Sequence, residues 1–199
     1  MQYRAVGKRC AIDLSDTGVS EQEAAEILER LGFIQIQVDL SVLARGRIGE
    51  SIYHRGVSIL EAPGVVDCSS LIKWLFAQKG IWLPRLCVQQ YMYTESICVE
   101  QIQAGDVLYT SGVLNLYDQD PSHGVGHVGL ATSETTVVHA VGKNRGVKEV
   151  SLERFYGARK LQGIRRFSKE TTATFIVPES HIVEWSDDIK WLLLKHVSK

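Results

Sequence analysis

Two runs rich in β-branched and apolar residues, His127-Val128-Gly129-Leu130-Ala131 and Thr135-Thr136-Val137-Val138-His139, flank Ser133. Such runs joined by a short polar link read as a β-hairpin and commit the second half of the chain to antiparallel sheet. Positions 127 and 139 are equidistant from 133. A symmetric register would set His127 and His139 directly opposite each other on one sheet face, with Cβ atoms about 4.5 to 5.5 Å apart, whereas a one-residue slip would put them on diagonal positions or opposite faces. Val107 to Tyr109, Gly146 to Leu152 and Lys160 to Phe167 read as further strands.

Helices are marked by their ends. Ser20-Glu21-Gln22-Glu23 has capping-box form, Ala24, Ile27, Leu28 and Leu31 follow at helical spacing, and Gly32 supplies the stop. Phe33 to Leu40 alternates weakly, and a second helical stretch is expected around Ser41 to Ile52, before a turn at Glu61-Ala62-Pro63-Gly64. Asp67 is placed to cap a helix that runs to about Gln78 and ends at Lys79-Gly80, with Pro84 beyond. Trp185, Ile189, Leu192 and Leu193 behind Ser186-Asp187-Asp188 predict a terminal amphipathic helix. Ser111 to Gly126 is a long polar loop, of the kind often used as a lid or recognition element. The pattern is α+β. Its 199 residues suit a single catalytic unit, expected over 45–168, with helical extensions at 1–44 and 169–199.

A hydrophobic share of 45%, a charged share of 23% and a formal net charge of -1 point away from nucleic acid and anionic membranes as partners. No apolar run approaches the roughly 18 residues of a membrane span. Arg4, Lys8 and Arg9 precede only the short, Asp13-interrupted stretch Cys10 to Leu14, so no secretory signal is visible. As read, the chain is cytoplasmic; export by a non-classical route, or a missing leader, is the alternative. Cys10, Cys68, Cys87 and Cys98 lack the paired spacing of a metal site and read as reduced thiols, with Cys10, Cys87 and Cys98 expected as small buried hydrophobes. Neither metal nor organic cofactor is implied.

The chemistry converges on Cys68. A free cysteine near its reference pKa of about 8.5 is mostly protonated at neutral pH, and the thiolate is the nucleophile. A helix N-terminus stabilises negative charge there by roughly 0.3 to 1 kcal/mol, and an adjacent imidazole activates the sulfur further. Cys68 at a helix start, with His127 and His139 downstream on one hairpin, has the order of a nucleophile, its base and an orienting group.

At these residues the sequence resembles the NlpC-type cell-wall cysteine peptidases, a papain-like family. The matching pieces are Asp67-Cys68-Ser69-Ser70-Leu71-Ile72, Leu83-Pro84-Arg85 with Gln90, Ala104-Gly105-Asp106-Val107, and His127-Val128-Gly129-Leu130 followed by Val138-His139-Ala140. They occur in the family's order over about residues 53 to 167. The resemblance implies a papain-like core with the cysteine-bearing helix packed on an antiparallel sheet. It implies Cys68 as nucleophile, His127 as general base and acid, and His139 as the polar residue fixing the His127 ring. Tyr53, Asp67 and Ser69 would shape the acyl-side subsite, and Asp67 would hold a free amine of the substrate. The implied reaction is hydrolysis of an amide in peptidoglycan-derived stem peptides, of the γ-D-glutamyl to diamino-acid type, or in similar small peptides.

Two other readings use the same residues: acyl or amide transfer through the same Cys-His site, and a non-catalytic peptide-binding module. Arg154, Arg159, Lys160, Arg165 and Arg166, with Glu149 and Glu153 nearby, read as a solvated sheet face. Trp74, Trp82 and Tyr91 read as core and groove packing, and His54 and His123 as solvent or loop histidines.

Overall fold

The computed structural model describes residues 2–93, 96–112, 124–157, 159–167 and 172–197. The elements in the first half are β1 (Arg9–Asp13), α1 (Glu21–Arg30), β2 (Ile34–Ile36), α2 (Leu40–Arg45), β3 (Ile52–Tyr53), β4 (Val65–Val66), α3 (Cys68–Ala77) and α4 (Cys87–Tyr91). They are followed by β5 (Ser96–Ile97), β6 (Val107–Thr110), β7 (His127–Ala131), β8 (Thr136–Gly142), β9 (Gly146–Ser151), α5 (Leu152–Gly157), β10 (Leu161–Arg165), β11 (Thr172–Ile176) and α6 (Ser186–Val197). The chain divides into two units, one of residues 1–38, 76–82 and 168–199, the other of 39–75 and 83–167. Most of the lid-like loop expected over 111–126, with His123, lies outside the described residues.

In the first unit the terminal segments expected as helical extensions also hold strands. β11 pairs antiparallel with β1, from Arg9↔Ile176 to Asp13↔Thr172, and on its other edge with β2. All of β1 beyond Arg9 is buried, so it carries no alternating pattern. The helix at 20–31 forms as expected: Ser20 accepts from the Glu23 N–H at 3.2 Å, and α1 buries Ala24, Ile27 and Leu28. These join Ile12, Phe33, Phe175, Ile189 and Leu193 in one apolar core, where α1 and α6 meet the sheet. Gly80 is held at φ +71 within this unit; a Cβ there would lie 2.5 Å from that of Ala11.

The second unit is built on a six-stranded antiparallel sheet in the order β5-β10-β6-β7-β8-β9, beside a short parallel pair, β3 and β4. The fold is α+β, as the sequence pattern requires. Leu71, Ile72 and Leu75 of α3 are fully buried. The helical stretch expected around Ser41 to Ile52 is confined to α2, where the Asp39 carboxylate caps Ser41 and Val42 at 2.8 and 3.2 Å. The arginine cluster is not a uniform solvated face. Arg165 is buried over the Tyr91 ring at 3.9 Å, and Arg166 pairs with Asp106 at 2.7 Å. Of the three aromatics read as packing groups, Trp82 is 46% exposed. Among the described residues no helix is long and apolar enough to cross a membrane.

The β7-β8 hairpin forms, with a register different from the symmetric expectation. Leu130 faces Val138 and Ala131 faces Val137, which centres the turn on Glu134. Its cause is the Ser133 side chain, whose Oγ accepts from the N–H groups of Thr135 and Thr136, both at 3.1 Å, while the Thr132 N–H reaches the Thr136 carbonyl at 2.9 Å. A hydroxyl that captures the backbone of the next two residues lengthens the loop by this amount. His139 is thus opposite Gly129, and His127 lies diagonally from it on the same face.

That placement leaves no room at Gly129. A Cβ there would lie 2.5 Å from Val137 Cγ1, 3.1 Å from Phe155 Cε2 and 3.2 Å from His139 Cβ. Gly129→Ala should therefore destabilise the chain by about 1 to 3 kcal/mol through overpacking, read as a lowered midpoint in denaturant unfolding. An unchanged midpoint would mean that Phe155 and Val137 give way freely.

Candidate active site

The first turn of α3 is organised by Asp67. Its Oδ1 accepts from the Ser70 N–H at 2.8 Å, while the Asp67 N–H donates to Ser70 Oγ at 2.8 Å, a reciprocal cap with serine at the third helical position. The same carboxylate accepts from the Gly56 N–H at 3.1 Å and is gripped by Arg85, whose Nη2 and Nη1 lie 2.6 and 3.1 Å from its two oxygens. Arg85 also donates to Ser69 Oγ at 3.0 Å and to the Val57 carbonyl at 2.6 Å. Burial pushes the Asp67 carboxyl up, but Arg85 and the Ser70 and Gly56 N–H groups more than offset it and hold the carboxyl below its ordinary value.

Cys68 is the first residue of α3 and partly buried. Its backbone N–H is among those that a helix leaves without an intrahelical partner. Gln90, fully buried on α4, donates from Nε2 to the carbonyls of Ser69 and Pro84 at 3.0 and 2.9 Å, and so ties α4 to this turn. That tie puts Cys87, the first residue of α4, in hydrogen-bond contact with Cys68. Contact with Cys87 and burial push the Cys68 thiol up, and a hydrogen bond to His127 opposes them.

His127 is buried on β7. Its Nε2 lies 2.8 Å from His139 Nδ1, with the rings edge to face and their centroids 5.1 Å apart. Phe155 packs against both rings. Burial lowers the His127 pKa and contact with Cys68 raises it, leaving a net lowering. Burial, then the positive charges of Arg159, Arg145 and Arg154, lowers His139 to about 4. Both imidazoles are thus neutral near pH 7. A neutral His127 that donates Nε2–H to His139 Nδ1 keeps its Nδ1 lone pair for the Cys68 sulfur.

Each residue singled out in the sequence can now be placed. Cys68, His127 and His139 form one hydrogen-bonded row. Asp67 and Ser69 lie in the α3 cap, with the carboxylate engaged by Arg85 rather than open. Tyr53 pairs in register with Val66, one residue before Asp67, and burial followed by the nearby Cys68 and Asp67 raises its phenol pKa. It shares a cleft of about 750 Å³ with Ser51, His54, Glu61, Lys143 and Arg145. Cys10 is buried as expected, but Cys98 is exposed and Cys87 is a half-buried neighbour of Cys68 rather than a core hydrophobe. Arg85 and Gln90 stood in the sequence only as pieces of the family resemblance, with no signal of the contacts they make here. Among the described residues no three His, Cys, Asp or Glu side chains are grouped to hold a metal ion.

The chain is similar to several known proteins. Over 106 residues the chain is 34% identical to the Gamma-DL-glutamyl hydrolase of Bacillus subtilis, covering 53% of this chain and 24% of that protein. A protein of Corynebacterium glutamicum (strain R) named "Probable endopeptidase" is 31% identical over 111 residues, 55% of this chain and 45% of its own length. The chain thus spans less than half the length of these relatives. The solved structure of NlpC1 from Trichomonas vaginalis matches the fold with a TM-score of 0.56 at 23% identity, over 65% of this chain and 44% of that one. Residues 51–166, more than half of the chain, match the model of the NlpC/P60 family, and the chain belongs to that family.

Proposed function

We propose that the chain is a cysteine peptidase that hydrolyses an amide bond in peptidoglycan stem peptides, at the link between a γ-D-glutamyl residue and a diamino acid. The observation that carries this reading is the row in which His127 is hydrogen-bonded to Cys68 on one side and to His139 on the other. Kinship with a Gamma-DL-glutamyl hydrolase and an endopeptidase supports the bond type.

In this mechanism Cys68 and His127 rest as thiol and imidazole, because burial disfavours both charged forms. The sulfur attacks the substrate carbonyl as its proton passes to His127 Nδ1. The Cys68 N–H at the start of α3 stabilises the oxyanion. His127 then protonates the leaving amine, and water deprotonated by the same ring releases the acyl group. His139 stays neutral at pH 7 and so serves as an acceptor for His127 Nε2–H, which holds the base-competent tautomer throughout. The cleft beside Tyr53 seats the peptide, with Lys143 and Arg145 facing its carboxylates.

Incubation with a defined L-alanyl-γ-D-glutamyl-diamino-acid peptide, followed by mass analysis, should give cleavage after the γ-glutamyl residue and none with Cys68→Ala. Undiminished turnover in Cys68→Ala would end the proposal. His127→Ala should lower kcat by about a thousandfold, as for loss of a general base. His139→Ala should cost less, about ten- to a hundredfold, because the base remains and only its orientation is lost; equal losses would make His139 more than an orienting group.

A stability experiment tests the neutral state of His139. Its pKa is 6.5 when unperturbed and about 4 in the fold, so below pH 6.5 the unfolded chain takes up the proton first. Stability should be full above pH 6.5 and decline as pH falls from 6.5 to 4. His139→Gln should flatten that decline in melting temperature; an acid limb identical to wild type would mean that His139 is already charged in the fold.

A further inference from the structure

Cys87 has no part in the proposed hydrolysis, yet it is the thiol that touches Cys68. Three features fix it there. It opens α4, which Gln90 anchors to the first turn of α3 through the Ser69 carbonyl at 3.0 Å. Its Sγ reaches the Val125 carbonyl at 3.8 Å, immediately before the strand that carries His127. On a third side lies Tyr109, fully buried, whose hydroxyl has no hydrogen-bond partner among the described residues and which feels the charge of Cys87. Both residues are only partly buried, whereas Cys10 is buried in the other unit and Cys98 is exposed on the chain's surface.

Two thiols in hydrogen-bond contact lose the first proton more readily than the second, because the remaining S–H donates to the thiolate. The same proximity that tunes the nucleophile also supplies a partner once the nucleophile is oxidised. Redox-sensing cysteines are accessible and sit beside a resolving thiol.

We propose that Cys87 is a resolving cysteine for Cys68, and that a hydroperoxide converts the pair into a reversible intramolecular disulfide that switches the enzyme off. The Cys68 thiol passes its proton to His127 as its sulfur attacks one peroxide oxygen; the O–O bond breaks, Cys68 becomes a sulfenic acid, and the departing oxygen takes that proton back from His127, so the peroxide is reduced by two electrons to water or an alcohol. Cys87, as thiolate, then attacks the Cys68 sulfur. The S–S bond forms, the S–O bond breaks, and hydroxide leaves to be protonated to water. The resulting disulfide has no free nucleophile, and it protects Cys68 from the irreversible sulfinic and sulfonic acids. A dithiol restores both thiols by exchange.

This inference rests on the reactivity assigned to Cys68 above, but its readout does not depend on the substrate. Wild type and Cys87→Ser are treated with hydrogen peroxide, digested without reduction and mapped by mass spectrometry, then assayed on the stem peptide before and after dithiothreitol. In wild type two free thiols are lost, one cross-linked peptide joins Cys68 to Cys87, and dithiothreitol returns most of the activity. In Cys87→Ser the Cys68 peptide gains two or three oxygens, and recovery falls at least about tenfold. Oxygen addition at Cys68 in both proteins with no cross-link, or a cross-link from Cys68 to another cysteine, overturns the proposal. A Cys68–Cys87 cross-link in a protein that cleaves no stem peptide would keep this inference and remove the proposed substrate instead.

Discussion

The arrangement of the second unit depends on one buried carboxylate. Asp67 holds the Ser70 N–H, the Gly56 N–H and the Arg85 guanidinium at once. It thereby fixes the start of α3 against the segment after β3 and the segment before α4. A charge so buried is tolerable only while every partner stays in place, since removing one partner of a buried ion pair costs about 3 to 5 kcal/mol. The residue that follows it is Cys68, so the position of this thiol is set by its neighbour's hydrogen bonds. The same cap brings Ser69 and Gln90 together and, through Gln90, carries Cys87 to the sulfur.

Asp67 also shows how a residue's structural and functional readings compete. The sequence supports both a helix cap and a substrate-amine ligand at this position. In the fold the cap is made, and Arg85 takes the remaining oxygen surface of the carboxylate. A substrate amine at this point would have to share the carboxylate with a guanidinium already bound in two places. Tyr53, Lys143 and Arg145 line the neighbouring cleft, where two of the three side chains are cationic.

Much of this was legible in the sequence because local signals carried it. Ser20 and Asp67 are oxygen-bearing residues ahead of apolar helical spacing, and both cap. The strands β6 to β10 were readable from β-branched runs between turn residues. What escaped reading was set by tertiary pairing. β1 and β11 lie far apart in the chain, and β1 is buried at every residue beyond Arg9, so it shows no two-residue period. Arg165 looked like a surface charge until the Tyr91 ring and carbonyl gave its guanidinium a stacked, hydrogen-bonded seat. Cys87 could not be linked to Cys68 from sequence, since 18 intervening positions say nothing of a contact made through Gln90.

The hairpin register explains how the two histidine rings meet. In direct opposition their side chains would leave the sheet side by side, separated by the strand spacing of about 4.5 to 5.5 Å. Parallel exits favour rings that stack or diverge over rings whose nitrogens point at each other. The diagonal placement offsets the two Cα positions along the strands, so the His139 ring can present Nδ1 to the His127 edge at 2.8 Å with planes 76° apart. Opposite His139 the sheet then needs a residue without a side chain, and Gly129 stands there. A serine hydroxyl in the turn, by shifting the register, therefore brings the two ring nitrogens together, and the glycine two residues beyond His127 leaves the space that Val137, Phe155 and His139 occupy.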